Sequence, residues 1–544
     1  MMKKRVALMG IGFGAMMLLS EGAVWASPDA GAQLNQDRTF FERQQIERQL
    51  EEELMRERDH AVEQVAPSDA EASQNDITFV LSDIVFDKSQ VLTTEELDAL
   101  EAPYLHTSVT LKKLYLLVDE INALYQEKGY VVCRAGIAPQ TITGGIVKIS
   151  LLEGKTGYVT VEGNDTTDAS FVTDRLSLEE GKVARMTELS DEVIHFNGTN
   201  DIQLRVRLKA GHREGTTDYE IFVFEPEREV WNLFADNAGA ESSGQWRGGL
   251  SFYNASMTGN RDSIQLGTLF SDGVKSGSVR YGLPVGKNGQ RIDVSFAANS
   301  VHTKHGALAP LNVRGHSSAM GMTYTMPITV TKNHKAEASL MVARQDSKTN
   351  FMQYAWVDDS ITSVTGAVAF TDYGKNSVFY HNHSFAISDW ENIESQKKTS
   401  GRYHVTALYQ KMNEDKSLFA MRFYGQAAFN HYLASSEQFY IGGVYSVRGY
   451  EENYLGGDSG LSLNLEYRVP DSARSEWVWF ADGGIVLGHN QYDDHTMASV
   501  GGGYTWKFAP TATATVLVGV PLQRNYNGER IDAVRVHAMA NYRF

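Results

Sequence analysis

Alternating apolar and polar positions dominate the C-terminal part of the chain, residues 228–544, as in the segments 461–469 and 534–544. A period of two predicts half-buried β-strands. At about 20 residues for each spanning strand and its connection, this region accommodates about 16 strands. If these strands close on themselves, the sheet has no unpaired edge and suits a lipid environment. A soluble β-sandwich would alternate in the same way.

Residues 33–60 show a different pattern, without Gly or Pro and rich in Arg, Glu and Gln. This composition predicts a helix of about 42 Å. Its apolar residues Ile46, Leu50 and Leu54 form a narrow stripe, and pairs such as Arg38 and Glu42 have the i,i+4 spacing of helical ion pairs. A short coiled coil or a frayed tether fits the composition equally well. Residues 61–76, with Pro67 and several small polar residues, have the character of a linker.

Two segments between the linker and the alternating region share one layout. In residues 77–154 a strand is followed by two helical segments and two strands, and residues 155–227 repeat that order. The second helix of the first segment carries apolar residues at helical spacing and ends at Gly129. We therefore predict two small modules of β-α-α-β-β type, each with a sheet covered on one face.

The N-terminus has the organisation of a secretory signal. Three basic residues at positions 3–5 precede an apolar run from Val6 to Leu19, and small residues lead to a predicted cleavage site after Ala26. The apolar run is shorter than the ~20 residues that a retained anchor helix requires, and no later run reaches that length. Together with this predicted export signal, 24 Phe, 25 Tyr and an aromatic last residue, Phe544, favour a transmembrane barrel over a soluble sandwich.

Composition excludes several classes of function. Fifty Lys and Arg against 67 Asp and Glu give a net charge of −17, which argues against nucleic acid as a partner. The single cysteine, Cys133, excludes an internal disulfide and a cysteine-based zinc site. The close histidine pairs 302/305 and 381/383 lack carboxylates at metal-binding spacing, so we expect no metal and no cofactor. Residues 457–460, Gly-Asp-Ser-Gly, match a protease segment, but no matching histidine segment precedes them; we interpret them as a turn and expect no catalytic residue.

Two motifs in the alternating region identify a family. The segment Val447-Arg448-Gly449-Tyr450 and, 30 positions later, Phe480-Ala481-Asp482-Gly483-Gly484 are similar to the V-R-G-(F/Y) loop motif and the F-x-D-x-G wall motif of the outer-membrane insertase superfamily. Together with two modules of this size, the chain resembles the transporters of two-partner secretion, which export filamentous haemagglutinins and haemolysins. The resemblance implies a plug helix at 33–60, a linker at 61–76, POTRA (polypeptide-transport-associated) domains at 77–154 and 155–227, and a barrel of about 16 strands at 228–544.

The resemblance also implies roles for individual residues. In such transporters the arginine of the loop folds into the lumen and pairs with the aspartate of the wall, here Arg448 and Asp482. The implied loop latch comprises Val447, Arg448, Gly449, Tyr450, Phe480, Asp482 and Gly484. The implied plug helix presents Arg38, Arg43, Ile46, Arg48, Leu50 and Leu54. Tyr542 and Phe544 would form a C-terminal barrel signal. The alternative for Arg448 is a position in an external loop.

The function implied is passive export by a pore in the outer membrane of a diderm bacterium, with the POTRA domains in the periplasm. The cargo would be an unfolded exoprotein with an N-terminal secretion domain: an adhesin, a haemolysin or a contact-dependent toxin. Further expected partners are outer-membrane lipid and the barrel assembly machinery, and the transporter itself is expected to be a monomer and not an enzyme. The alternative is an insertase that assembles other barrels. A plain porin or surface adhesin would leave the two modules unexplained.

Overall fold

The computed structural model of the protein describes residues 29–55, 62–63, 78–429, 433–487, 495–526 and 529–544. The predicted signal peptide, the predicted end of the plug helix at His60 and most of the linker lie outside these ranges. Within them, no helix is both long enough and apolar enough to cross a membrane.

The first element is a helix, α1 (Ala30–Met55), that lies inside the barrel. It begins at Ala30 instead of the predicted Gln33, because the Asp29 carboxylate caps it by accepting the N–H groups of Gly31 (3.1 Å) and Ala32 (3.3 Å). At 1.5 Å per residue the helix is about 39 Å long. A two-residue strand, β1 (Val62–Glu63), follows it.

The first POTRA domain packs two helices on one face of a small sheet. Its elements are β2 (Thr78–Val80), β3 (Asp83–Phe86), α2 (Thr94–Glu101), β4 (Ser108–Thr110), α3 (Leu111–Glu127), β5 (Arg134–Gly136) and β6 (Ile146–Leu152). A capping box between Thr93 and Glu96 fixes the start of α2. The strand order is β3-β6-β5, and the apolar face of α3 is buried against alternate residues of β6.

The second POTRA domain repeats this arrangement with a larger sheet. Its elements are β7 (Lys155–Glu162), α4 (Ala169–Thr173), α5 (Met186–Thr199), β8 (Gln203–Ala210) and β9 (Thr216–Phe224). The order of the sheet is β1-β8-β9-β7, so the short strand from the linker completes one edge. Leu204, Val206 and Leu208 of β8 are buried in the core beneath α5.

The two POTRA domains and the barrel are in direct contact. Val131 and Val132, from the first domain, pack against the core of the second, and the Met186 N–H donates to the Gly129 carbonyl (3.0 Å). The second domain docks on barrel turns through Arg261, whose fully buried side chain forms a two-point ion pair with Asp201. These contacts hold the two POTRA domains beneath one end of the barrel.

The predicted closed barrel of about 16 antiparallel strands is confirmed, with 16 strands. They are β10 (Glu229–Asp236), β11 (Arg247–Asn254), β12 (Ser263–Phe270), β13 (Val274–Val285), β14 (Gln290–His302), β15 (Arg314–Val330), β16 (His334–Phe351), β17 (Tyr354–Tyr373), β18 (Ser377–Glu391), β19 (Lys397–Met412), β20 (Leu418–Ala428), β23 (Ser459–Ser472), β24 (Ser475–Leu487), β25 (His495–Ala509), β26 (Ala512–Pro521) and β29 (Arg535–Arg543). Two short hairpins lie outside the wall, β21 (Phe439–Ile441) with β22 (Leu455–Gly457) and β27 (Asn525–Tyr526) with β28 (Glu529–Arg530).

The alternating pattern sorts the side chains of each strand between lumen and lipid. On β23, Leu461 and Leu465 are exposed on the outer surface, whereas Ser462, Asn464 and Glu466 are buried inside. Buried polar side chains in the lumen therefore have to find partners among the elements that fill it.

Candidate functional site

The loop between β20 and β23 folds back into the lumen. Its strands β21 and β22 pair there, and Ile441, Val447, Tyr450 and Leu455 form an apolar cluster with wall residues of β24 and β25. Val447 is fully buried. This placement decides against the alternative of an external loop for the Arg448 segment.

Arg448 binds two carboxylates of the wall through hydrogen bonds from the edges of its planar guanidinium group. Its Nε lies 2.8 Å from Asp482 Oδ2 and its Nη2 lies 2.7 Å from Oδ1, while its backbone N–H donates to the same Oδ2 (3.0 Å). Its Nη1 donates to Glu466 Oε2 at 2.5 Å. The side chains of Arg448 and Asp482 are 4% and 0% exposed. One cation is thus shared by two buried carboxylates, a geometry that fixes both the position and the orientation of the loop.

Phe480, the aromatic residue of the wall motif, completes the binding site of the Arg448 side chain. The guanidinium carbon lies 3.7 Å from the centroid of the Phe480 ring, within the range of a cation–π contact. A Cβ at Gly501 would lie 2.3 Å from Cζ of this ring, so glycine at that position makes the room for it.

The other motif residues let the loop approach the wall closely. Gly449 has φ = +99°, a conformation that other residues rarely adopt. Its backbone lies against Gly519, where a Cβ would be 2.5 Å from the Gly449 nitrogen. Gly484 leaves space for Val447, whose Cγ2 would lie 3.1 Å from a Cβ there. The Tyr450 hydroxyl lies 2.9 Å from the Ala498 carbonyl oxygen, so the motif is anchored at both ends.

A larger ion network extends from this latch to the plug helix. Glu466 contacts Arg422 (3.4 Å) and Arg468 (2.8 Å) as well as Arg448. Arg422 in turn binds Glu47 of α1 at 2.6 Å, and Arg468 lies 3.5 Å from Glu51. Helix, wall and loop are therefore connected through one set of charges, which is buried at Arg448, Glu466 and Asp482 and becomes more exposed towards Glu47 and Glu51.

Sequence reasoning missed Glu47, Glu51, Arg422, Glu466 and Arg468 as site residues. The alternation of β20 and β23 already places Arg422, Glu466 and Arg468 on the polar face. That signal is shared by many lumen residues, and it does not show which of them meet the helix.

The predicted plug residues make contacts of several kinds. Ile46, Leu50 and Leu54 face the wall, where Leu50 packs with Val378, Leu408 and Tyr424. Arg43 donates to the Tyr445 carbonyl (3.0 Å) and covers the Tyr424 ring (3.9 Å). Arg38 and Arg48 pair within the helix, with Glu42 and Glu52.

An aromatic contact that the sequence did not reveal fixes the middle of the helix. Phe40 is buried, and its ring centroid lies 5.2 Å from that of Phe234 on the wall and 5.4 Å from that of Tyr445 in the loop. The helix thus touches both wall and loop through apolar as well as charged groups.

The N-terminal end of α1 is held by uncharged partners. The Asp29 carboxylate accepts hydrogen bonds from Ser347 (3.1 Å), Thr349 (3.2 Å) and Ser435 (2.6 Å). The Ser435 contact lies in the same loop as Arg448. The loop therefore contacts the N-terminal end of α1 directly. It is connected to Glu47, in the C-terminal half of α1, indirectly through the wall residues Glu466 and Arg422.

The C-terminal residues close the barrel. Phe544 and Trp231 exchange two backbone hydrogen bonds of 2.8 and 2.9 Å, and their rings are stacked. Tyr542 pairs with Leu233 of β10 and Ala512 of β26. Tyr542 and Phe544 are 48% and 58% exposed on the outer surface.

The remaining sequence candidates lie apart from the latch. Within the described ranges, no group of three or more His, Cys, Asp or Glu is arranged to hold a metal ion. Ser459 begins β23, and its hydroxyl accepts the Ala428 N–H (3.0 Å). Burial raises the pKa of the Cys133 thiol to about 12, so it stays protonated.

Comparisons with known proteins agree with this architecture. The sequence model of the haemolysin secretion/activation protein family ShlB/FhaC/HecB matches residues 222–506, and that of the ShlB-type POTRA domain matches residues 79–154. The heme/hemopexin transporter protein HuxB of Haemophilus influenzae (strain 86-028NP) is 25% identical over 486 residues, 83% of this chain and 85% of the relative. The outer membrane transporter CdiB of Dickeya dadantii is 23% identical, covering 80% and 81%.

Solved structures share the fold at lower identity. CdiB from Escherichia coli superposes with a TM-score of 0.67 at 18% identity, covering 94% of this chain and 98% of that one. BamA from Haemophilus ducreyi, lacking POTRA domains 1–3, gives 0.51 at 13% identity over 86% and 100%. Since the family model spans more than half of the sequence, the chain belongs to the ShlB/FhaC/HecB family of haemolysin secretion/activation proteins, the outer-membrane transporters of two-partner secretion.

Proposed function

We propose that this transporter exports one large secreted partner through its own lumen, and that the plug helix and the Arg448 loop form the gate. The observation that carries the proposal is the ion network from Glu47 through Arg422 and Glu466 to Arg448 and Asp482, which ties both occluding elements to one wall. An arriving chain has to displace both elements, because both occupy the lumen. The proposed partner is an adhesin, a haemolysin or a contact-dependent toxin with an N-terminal secretion domain.

The closed seam between β10 and β29 supports passage through the lumen. The two strands pair from Asn232 with Arg543 to Asp236 with Met539, and backbone hydrogen bonds extend the pairing at both ends. In addition, the side chain of Asn237 bonds the backbone of residues 536 and 538 at 2.8 Å. An insertase that releases strands sideways would have to open this seam. The likeness to BamA concerns the fold and does not favour that alternative.

Locking the seam distinguishes export from insertion. Ala235 and Ala540 are register partners, and their outward positions keep substitutions out of the lumen. We expect Ala235→Cys/Ala540→Cys, cross-linked by oxidation or by a short bifunctional maleimide, to secrete the partner at the rate of the unlinked protein. The single-cysteine variants are the controls. Loss of secretion only in the cross-linked double variant would contradict lumenal passage.

The direction of export follows from the place where the secreted partner folds. The periplasm contains no nucleotide supply, and folding of the partner at the cell surface removes unfolded chain from the outer end of the pore. The POTRA domains would capture the partner in an extended state through exposed strand edges. We further propose that the transporter acts as a monomer. We also propose that the barrel assembly machinery recognises Tyr542 and Phe544 when it inserts the barrel into the outer membrane.

Deleting the gene tests the proposal as a whole. We expect one large protein to disappear from the medium and cell surface and to accumulate or be degraded in the periplasm, while other outer-membrane barrels keep their abundance. Quantitative proteomics of the three fractions measures this, and the wild-type gene on a plasmid is the control. A general loss of barrels from the outer membrane would instead identify an insertase.

A further inference from the structure

The loop between β20 and β23 has a second contact with the wall, near its beginning. A single 3₁₀ turn, Ser435–Glu437, lies in this part of the loop. The Glu437 carboxylate forms an ion pair with Arg402 of β19, and the two side chains are 4% and 15% exposed. It also accepts hydrogen bonds from Ser388 (2.6 Å) and Ser400 (3.3 Å). Three donors on two strands therefore fix the position of this buried carboxylate.

This contact lies at the outer end of the barrel. The turn between β11 and β12 contains Arg261 and faces the second POTRA domain. Since the connections of an antiparallel barrel alternate between its two ends, the connection between β18 and β19 lies on the side away from the POTRA domains. Ser388 lies three residues before the end of β18 at Glu391, and Ser400 lies three residues after the start of β19 at Lys397.

The two residues before Glu437 contact the plug helix. The Ser435 hydroxyl donates to the Asp29 carboxylate (2.6 Å), and the Asn35 side chain donates to the Ser436 carbonyl (2.6 Å). Three consecutive residues of the loop thus contact the wall on one side and the beginning of α1 on the other. Because Glu437 fixes the position of the turn, it also keeps Ser435 and Ser436 against the helix.

The Glu437 contact is separate from the latch at Arg448. Glu437 binds β18 and β19, whereas Arg448 binds β23 and β24. β18 and β24 are four strand spacings apart, about 19 Å along the wall. Among the described residues, Glu437 and Arg402 form an ion pair only with each other. Arg448, in contrast, is shared by Asp482 and Glu466.

We propose that Glu437 is a positioning residue, and that with Arg402 it forms a second latch that holds the outer end of the plug. The C-terminal end of α1 is connected to the POTRA domains, so a plug that leaves toward the periplasm has to withdraw its N-terminal end through the whole lumen. Withdrawal breaks the contacts of Ser435 and Ser436, whereas Arg448 can stay on the wall. This inference rests on the proposed export function and adds to it a residue that controls when the plug leaves.

Glu437→Gln in the full-length protein tests the role of the charge. The variant keeps an oxygen acceptor for Ser388 and Ser400 and loses the ion pair with Arg402. In planar bilayers we expect large openings to become about tenfold more frequent at unchanged maximal conductance, because a neutral hydrogen bond replaces a charge-assisted one. Protease should cleave the loop at the wild-type rate, since Arg448 still holds it. Openings at the wild-type frequency, or cleavage as fast as in Arg448→Ala, would overturn the proposal.

An exposed pair on the same two strands provides the matched control. Lys397 of β19 lies 3.7 Å from Glu391 of β18, and their side chains are 81% and 45% exposed. We expect Glu391→Gln to leave the frequency of openings unchanged, because exposed ion pairs contribute little. If Glu391→Gln and Glu437→Gln raised the frequency equally, the effect would be one of charge near the outer mouth, which contradicts a specific latch.

Exchanging the charges tests the pair itself. Arg402→Glu alone should increase the frequency of openings, because it places a second carboxylate beside Glu437. Since neither residue has a further ion-pair partner among the described residues, we expect Arg402→Glu/Glu437→Arg to return the frequency to within about threefold of wild type. No recovery in the double variant would contradict the pair. These recordings do not require the secreted partner, so their outcome is independent of the gene deletion that tests export.

Discussion

Replacing Arg448 by alanine is expected to abolish export and to destabilise the folded loop. The substitution removes the two-point pair with Asp482 and the contact with Glu466. It leaves the Asp482 carboxylate buried without its cation, whereas Glu466 keeps Arg422 and Arg468. Breaking a buried ion pair by removing one partner costs on the order of 3–5 kcal/mol. We expect increased protease cleavage in the loop, a lower melting temperature of the purified barrel and loss of the partner from the medium.

An exposed pair on the same barrel provides the control. Arg344 and Asp346 form an ion pair at 3.0 Å, but their side chains are 54% and 51% exposed. Arg344→Ala should change the melting temperature little, since exposed pairs contribute about 0–1 kcal/mol. Equal behaviour of Arg344→Ala and Arg448→Ala would show that the latch contributes nothing specific.

Exchanging the two charges is not expected to restore export. In Arg448→Asp/Asp482→Arg the new carboxylate would lie beside Glu466, which is 2.5 Å from the present guanidinium. The exchange therefore creates repulsion where the wild type has a second ion pair. Adding Glu466→Gln removes that repulsion, and we expect this triple variant to recover more folded loop than the double variant. Full recovery by the double variant would mean that Glu466 is not coupled to Arg448.

Removing Ala30–Met55 is expected to increase the conductance of the channel several-fold. A helix with its side chains has a diameter of about 10–12 Å, so α1 excludes a large part of the aqueous cross-section. Its contacts along the wall, from Asp29 to Glu51, keep it in place. Single-channel recordings in planar bilayers measure the change. Unchanged conductance would disprove the assignment of α1 as the plug.

Point variants distinguish the effect of removing the helix from the effect of weakening its contact with the wall. Glu47→Gln weakens the contact with Arg422 at 2.6 Å, and we expect more frequent openings at unchanged maximal conductance. Glu52→Gln is the matched control, because Glu52 is 63% exposed and pairs within the helix with Arg48. Similar effects of both variants would indicate that helix stability, and not the wall contact, controls the gate.

The barrel and the plug were largely predictable from local patterns. The alternation over 228–544 is set within each strand separately. It can therefore be recognised in the sequence without knowing which strands pair with each other. The start of α1 at Ala30 was not predicted, because the prediction was limited to residues 33–60, the segment without Gly or Pro. The cap at Asp29 is stabilised by Ser347 and Thr349, which are distant in sequence.

The centre of the site was predictable only as far as its motifs extend. Arg448 and Asp482 stand in recognisable segments, whereas Glu466 is one of many polar residues on the lumen side of a strand. Its importance arises from the register of β20 with β23, which places Arg422 next to it. The pairing of β1 with β8 involves only two residues and depends on backbone atoms, so side-chain patterns give no signal for it.

The junction between the two POTRA domains has a mechanical consequence. Val131 and Val132 continue the core of one domain into the other, and Arg261 and Asp201 clamp the second domain to the barrel turns. Bending between the two domains therefore has to separate Val131 and Val132 from that core, and undocking the second domain has to break the Arg261–Asp201 pair. A force on the first domain would thus act on these contacts before it reaches the barrel strands.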